Sequence, residues 1–304
     1  MDEAKILNII KNTLSDNSYI GDDCAILKDL GLCVTQDTLV EDIHFSLSFI
    51  TPFQLGVKSV SVNISDLCAS LALPKYITVS ISLPKTISEN FVEEFYKGIN
   101  SACLKYQTKV IGGDITGSDK IMISICAIGL KDKEIDVSRS NAQINDVVVI
   151  TGPSGMSSRG LQELLNNKNA KSIYTEAHLN PDIAYEQANI LRKLQSKRIC
   201  SMDTSDGLAD AIFKITQASN VSMIIDATKI PNVQAPDLTL YGGEDYTLLL
   251  TMDRETYNKL DKTQFIEIGK VVEKSENIVS FGENTFAIDE NSIKNCFNHF
   301  GGNK

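Results

Sequence analysis

Two successive series of short β-rich runs interleaved with helix-period stretches, meeting at a seam near residues 130–146, confine this chain to a mixed α/β architecture. In the first series, Ile6, Leu7, Ile9, Ile10 and Leu14 fall on one side of a short amphipathic helix over 2–14. Strands are expected at 24–27, 32–36, 76–83, 109–111 and 121–130, with a helix at 88–105. The stretch 52–71 reads two ways. Val57, Val60, Ile64, Leu67 and Leu71 recur at helical spacing, whereas VKSVSVNIS alternates like a strand. Its length, and Pro52 in a first turn, favour helix. The second series carries expected strands at 147–151, 221–225, 246–251 and 265–272, and helices at 155–165, at 183–195 and from Asp206. The polar stretch 166–180 reads as loop. The halves match in length and element types, which predicts two α/β domains.

With 304 residues, 42% of them hydrophobic and 22% charged, the chain can bury a substantial core. Its net charge of −10 argues against non-specific nucleic-acid binding, which needs a basic footprint. Phosphate ligands are not excluded, because bound cations invert the local sign. Seven scattered cysteines without a CxxC spacing read as reduced packing thiols. The first eleven residues lack a signal-like apolar core, and no 18-residue apolar run occurs. The expectation is a soluble, cytoplasmic protein with neither nucleic-acid nor membrane partners.

The chemistry is written in where the acids cluster. Gly21-Asp22-Asp23 precedes a strand, Asp37 closes the next one, and Asp66 lies in NISDL. Asp114 lies in IGGDITG, Asp203 and Asp206 in MDTSDG, and Glu244-Asp245 in YGGED. Four of these sites have glycine beside the acid, which permits close backbone approach to a ligand. Carboxylates at element ends suit hard cations such as Mg²⁺, shared between a few acids and substrate phosphates. Without a counter-charge they would repel and raise one another's pKa. Each motif alone also reads as ordinary structure. Thr204 or Ser205 would cap a helix opening at Asp206, and a Gly-Asp pair is a common turn. No GxxxxGK[ST] occurs, and the segment 152–155 fails the GxGxxG spacing. Residue chemistry thus reaches an acidic two-domain α/β protein with a multi-metal phosphate site, and goes no further.

Taken together and in order, the motifs IGDDCAI (20–26), TQDTLVEDIHF (35–45), GVKSVSVNISDLCASLALP (56–74), FYKGI (95–99), IGGDITG (111–117), RSNAQINDVVVITGPSG (139–155), MDTSDGLAD (202–210), YGGEDYTLLLT (241–251) and CFNHF (296–300) resemble the thiamine-monophosphate kinase family. That family belongs to the superfamily of aminoimidazole ribonucleotide synthetase and selenophosphate synthetase. The resemblance implies an α/β (α+β) fold of two domains, 1–138 and 139–304. The first would bind ATP and metal and dimerise, its sheets pairing into a barrel-like homodimer core, and the second would bind substrate. It implies γ-phosphoryl transfer from ATP, the co-substrate, to thiamine monophosphate, with several Mg²⁺ ions bridging the phosphates. By resemblance, Asp22, Gln36, Asp37, Asp66, Asp114, Asp203 and Asp206 would ligate metal. Tyr96, Gly113, Asp114, Arg139 and Ser205 would meet ATP. His44, Glu244 and Phe297 would meet thiamine monophosphate. The attacking group would be the substrate's own phosphate oxygen, so no covalent protein nucleophile is implied.

Gln36 stands where the family commonly has Ser or Thr, and Asn145-Asp146 replaces a common Gly-Asp turn. The rival readings are another member of the superfamily and a non-catalytic nucleotide or metal sensor. Selenophosphate synthesis would want a reactive Cys in a glycine-rich N-terminal segment, whereas Cys24 reads as packing. A sensor should have lost a central aspartate, and all six candidate aspartates are present.

Overall fold

A computed structural model describes residues 3–194 and 198–297. The first half runs α1 (Glu3–Thr13), β1 (Ala25–Leu27), β2 (Leu32–Val40), α2 (Pro52–Ala69), β3 (Leu73–Leu83), α3 (Glu89–Lys105), β4 (Lys109–Gly117) and β5 (Met122–Leu130). Its strands form one open sheet in the order β1-β2-β5-β3-β4, with β3 and β4 parallel and the other neighbours antiparallel. The second half runs β6 (Asp136–Val137), β7 (Val147–Ile150), α4 (Met156–Asn166), α5 (Ile173–Leu179), α6 (Tyr185–Lys193), β8 (Arg198–Asp203), α7 (Leu208–Ser219), β9 (Ser222–Asp226), α8 (Pro236–Tyr241), β10 (Leu248–Met252), α9 (Arg254–Asn258), β11 (Ile266–Val272), β12 (Asn277–Phe281) and β13 (Asn284–Ile288). Eight of its strands make a second sheet, β13-β12-β9-β11-β7-β10-β8-β6. The expected mixed α/β architecture in two halves is therefore present. No helix among the described residues is long and apolar enough to cross a membrane.

The helix α2 organises the molecule. Thr51 caps it through a reciprocal capping box with Gln54, and Pro52 opens its first turn. It packs on β2, β3 and β5 of the first sheet, on α3, and on α5, α6 and β8 of the second half. Thirteen of its 18 residues are buried, so its polar side chains need internal partners. Ser61 shares a hydrogen bond with the Tyr106 hydroxyl at 3.0 Å, and Asn63 donates to the Ser59 carbonyl at 3.0 Å. These buried polar residues produce the strand-like alternation of VKSVSVNIS. Contact with α3 is close enough to require glycine on both sides. A Cβ on Gly56 would lie 2.1 Å from the Phe95 carbonyl oxygen, and one on Gly98 2.0 Å from that of Phe53.

In the second sheet the central strands are apolar on both faces. Val147 and Val149 of β7 join the core shared with α2, whereas Val148 and Ile150 join the core under α7. Leu248 and Leu250 of β10 likewise face the first core and Leu249 the second. Strand β4 contrasts with these. It is the outer strand of its sheet and exposed at all nine positions, Val110, Ile111 and Ile115 among them.

Several sequence expectations are corrected. Strand 32–36 continues to Val40, because pairing with β5 holds through Val40 opposite Met122, so Asp37 lies within the strand rather than closing it. The strand at 109–111 extends to Gly117 on its parallel partner β3. The loop read at 166–180 contains α5, started by a Ser172 capping box with Thr175. The helix expected from Asp206 begins at Leu208 with Gly207 as its cap; Thr204 and Ser205 bond elsewhere. Helix α1 forms, but Leu7, Ile9, Ile10 and Leu14 of its apolar stripe are exposed. Residue 195, at the end of the expected helix 183–195, and the last three residues of CFNHF lie outside the described residues.

Candidate active site

Three carboxylates from three distant segments meet where the halves join. Asp23 comes from the bend before β1, Asp66 from α2 and Asp203 from the end of β8, and an oxygen of each lies within 4.8 Å of the others. Each is held. Thr35 Oγ1 donates to Asp66 Oδ2 at 2.6 Å. Ser65 Oγ donates to Asp203 Oδ2 at 2.7 Å, and Ser205 Oγ to Asp203 Oδ1 at 2.8 Å. Arg139, on the segment between β6 and β7, grips Asp23 with Nη2 at 2.7 Å and Nε at 3.3 Å. Among the described residues this fork is the one ion pair on the triad, so negative charge is in excess there.

The proton affinities record that excess. Burial pushes the Asp23 carboxyl up to about 7, with Asp203 and Asp22 adding repulsion against the opposing pull of Arg139. Burial, then Asp203 and Asp206, pushes Asp37 up to about 6. Asp66 is raised well above its ordinary value by burial and by Asp37, Asp203 and Asp23. Asp203 is raised by burial despite its hydrogen bonds from Ser65 and Ser205. An all-oxygen donor set short of positive charge matches the ligand chemistry of a hard divalent cation.

The loop 241–246 is stitched onto the loop after β8. The Glu244 amide donates to the Ser205 carbonyl at 2.7 Å, and a Cβ on Gly243 would lie 2.6 Å from that same oxygen. Glu244 and Tyr246 both adopt positive φ, 65° and 52°, a conformation rarely held by non-glycine residues unless the surroundings enforce it. Between them, Asp245 accepts the amides of Gly155 at 2.5 Å and Ser157 at 2.9 Å at the start of α4. Glu244 Oε2 lies 3.0 Å from Lys58 Nζ of α2 and 3.3 Å from His178 Nδ1 of α5. His178, buried beside Lys58, has its pKa lowered to about 4 by burial and then by that ammonium.

Of the sequence-derived residues, the fold gathers Asp66, Asp203, Ser205 and Arg139 at this junction and places others apart from it. Asp23 rather than Asp22 enters the triad; Asp22 Oδ2 accepts the Arg139 amide at 3.3 Å. Gln36 alternates to the other face of β2 from Thr35 and Asp37, and its amide nitrogen donates to Ser124 Oγ at 3.2 Å. Asp114 lies on that same outer face, in the register row Thr38, Ser124, Ser80, Asp114. Three inter-strand spacings separate it from β2, about 14 Å at ~4.8 Å each. Gly113 is its neighbour on exposed β4. Tyr96, on α3, packs against the first core with its ring edge-on to Phe95 at 5.4 Å. Asp206 pairs with Lys214 at 3.2 Å, and the same ammonium lies 2.7 Å from Asp210. His44 and Phe297 come together, ring centroids 6.0 Å apart and tilted by 57°. His44 Nδ1 accepts the Val40 amide at 3.0 Å, so its ring proton is on Nε2 when neutral.

Sequence reasoning missed Asp23 as the inner acid, and Thr35, Ser65, Lys58 and His178 as supports. Lys58 offered a signal, a charge inside an apolar helical run. His178 offered none within a stretch read as loop.

Comparison with known proteins places the fold. The family model for the AIR synthase related protein N-terminal domain matches residues 21–131, and that for the C-terminal domain matches 143–281. Thiamine-monophosphate kinase of Aquifex aeolicus (strain VF5) is 36% identical over 290 residues, covering 89% of this chain and 92% of the relative. The enzyme of the same name from Bacillus subtilis (strain 168) is 32% identical, over 99% of this chain and 100% of its own. A solved structure of AaThiL complexed with AMPPCP and TMP superposes with a TM-score of 0.84 at 31% identity, covering 98% of this chain and 97% of that one.

Proposed function

The chain belongs to the thiamine-monophosphate kinase family of AIR synthase related proteins, and we propose on that footing that it transfers the γ-phosphoryl of ATP to thiamine monophosphate, giving thiamine diphosphate and ADP. The observation that carries this reading is the triad Asp23, Asp66 and Asp203, which draws ligands from both halves of the chain at a single point. A terminal phosphate oxygen of thiamine monophosphate attacks the γ-phosphorus. The bond from that phosphorus to the β,γ-bridging oxygen breaks, and its electron pair leaves with ADP. The nucleophile is already anionic near neutral pH, so no side chain need remove a proton and none forms a covalent intermediate.

Residues of this chain divide the remaining work. Asp23, Asp66 and Asp203, with Asp37 and Asp206 beside them, would hold several Mg²⁺ ions. When bound, these ions neutralise the charge on two phosphate-bearing substrates. Arg139 opposes the rise that burial gives the Asp23 carboxyl and presents a guanidinium of the kind that clamps phosphate in bidentate fashion. Ser205 fixes Asp203 and borders the ATP phosphates. Glu244, His44 and Phe297 receive the thiamine end, with the half-exposed Phe297 ring available for stacking on a heterocycle. The two domains divide at 138/139, just before Arg139.

The exposed edge strand β4, with Val110, Ile111 and Ile115 open, supports pairing of the first sheet with that of a second copy into a barrel-like homodimer core. Gly113 and Asp114 are on that strand, and Gln36 shares the outer face with Asp114.

The test incubates purified protein with ATP, Mg²⁺ and thiamine monophosphate and looks for thiamine diphosphate by chromatography. Product in this sample, and none when Mg²⁺ is left out or free thiamine replaces the monophosphate, is expected. Absence of thiamine diphosphate while ATP still binds would move the activity to another substrate.

A further inference from the structure

We infer that Lys58 is a positioning residue for substrate recognition, acting through Glu244 and fixing the span between that carboxylate and the acidic triad. The inference rests on the assignment of Glu244 to thiamine monophosphate.

Lys58 is 1% exposed, a placement that lysine reaches only with a partner for its charge. Its Nζ lies 3.0 Å from Glu244 Oε2 and 3.2 Å from the His178 carbonyl oxygen, to which it donates. His178 Nδ1 lies 3.3 Å from the same Oε2 and 3.0 Å from Ser157 Oγ. Both contacts to the Glu244 carboxylate therefore fall on Oε2. Among the described residues Oε1 has no hydrogen-bond or ion-pair partner, on a side chain that is 25% exposed. One oxygen is anchored inside the protein and the other is available to an N–H donor on a ligand.

The anchor is also a ruler. Lys58 and Ser65 are seven residues apart on α2, two helical turns, so they share a face about 10 Å apart along the axis. Ser65 holds Asp203 of the triad and Lys58 holds Glu244. One buried, doubly capped helix thus spaces the phosphate end of the site from the carboxylate that meets the opposite end of the substrate. The left-handed backbone at Glu244 makes the same point locally, because a residue at φ 65° is held there by its surroundings.

The experiment compares wild type, Lys58→Met, Glu244→Gln and the double variant. It measures kcat, KM for thiamine monophosphate, KM for ATP and the melting temperature. Lys58→Met is expected to raise KM for thiamine monophosphate about tenfold or more, as for a lost charged hydrogen bond, with KM for ATP within about twofold. Glu244→Gln should raise the same KM, and the double variant should match Glu244→Gln alone, because one residue acts through the other. Equal increases in both KM values, or effects that multiply in the double variant, would overturn the inference. If Glu244→Gln leaves KM for thiamine monophosphate unchanged, the substrate assignment of Glu244 fails first and takes the inference with it. If Glu244→Gln raises that KM and Lys58→Met does not, the role of Lys58 alone is refuted. Should Lys58→Met fail to fold, the double variant, which leaves no unpaired charge, still decides by comparison with Glu244→Gln.

Discussion

Replacing Asp37 by Asn should stabilise the metal-free protein at alkaline pH while abolishing turnover. Asp37 titrates near 6 in the fold against an ordinary 3.8, raised by burial and then by Asp203 and Asp206. Because the folded-state value is raised, the fold favours the protonated acid. Stability from this group is therefore complete below pH 3.8 and is lost as pH climbs through 6. Two units at 1.36 kcal/mol each make the penalty above pH 6 about 3 kcal/mol. An amide carries no charge and escapes it. Among the described residues no hydrogen bond of the Asp37 side chain is lost in the exchange, since the contact with Asn63 is made by the Asp37 amide. A gain of about 3 kcal/mol corresponds to roughly 5 °C in a chain of this size. The assay is thermal unfolding in EDTA at pH 8 and pH 4.5. The variant should melt higher at pH 8 and keep only about a third of that advantage at pH 4.5, which lies between the two values. Adding Mg²⁺ at pH 8 should raise the wild-type melting point more than the variant's. A variant that melts at or below wild type at pH 8, or keeps its full advantage at pH 4.5, would refute the charge-repulsion reasoning.

Other consequences follow from single features. Phe297→Ala should raise KM for thiamine monophosphate more than KM for ATP, and steady-state kinetics showing the reverse would remove the ring from the substrate's side. Ile115→Lys, on the exposed edge strand, should convert a dimer to a monomer in sedimentation analysis; an unchanged dimer would place the interface elsewhere. His178 is held neutral with a pKa near 4 against 6.5, so the unfolded state binds its proton first. Its contribution to stability is complete above pH 6.5 and about 3 kcal/mol is lost by pH 4. His178→Asn should therefore flatten the acid limb of the stability–pH curve relative to wild type, read by denaturant titration across that window.

The elements that carry long periodic runs were legible from residues alone. Helix α2 could be assigned from Val57, Val60, Ile64 and Leu67 despite its strand-like alternation, because burial on every face lets Ser, Asn and Lys interleave with the apolar positions. Strand β7 is an unbroken apolar run and β10 is apolar but for Thr251, the mark of burial on both sides. Helix α5 was hidden because about two capped turns inside a polar stretch leave almost no period to read. In the site, motif order identified the acidic segments, but neighbouring residues could not be told apart. Only the folded bend decides that Asp23 enters the triad and Asp22 does not. Strand alternation likewise sends Gln36 away from Asp37, although they adjoin in sequence. Lys58 and Ser65 support the site through contacts that cross between the halves, and Thr35 through one to Asp66 within the first half; no local pattern encodes them.

The central claim is a single direct transfer between two substrates held at one acidic junction. The stereochemistry at phosphorus tests it most directly. ATP made chiral at the γ-phosphoryl with oxygen isotopes, turned over with thiamine monophosphate, should give thiamine diphosphate with inverted configuration at its terminal phosphorus. Retention of configuration, or isolation of labelled phosphate covalently attached to the protein, would contradict direct transfer and require a nucleophile that the site does not assign.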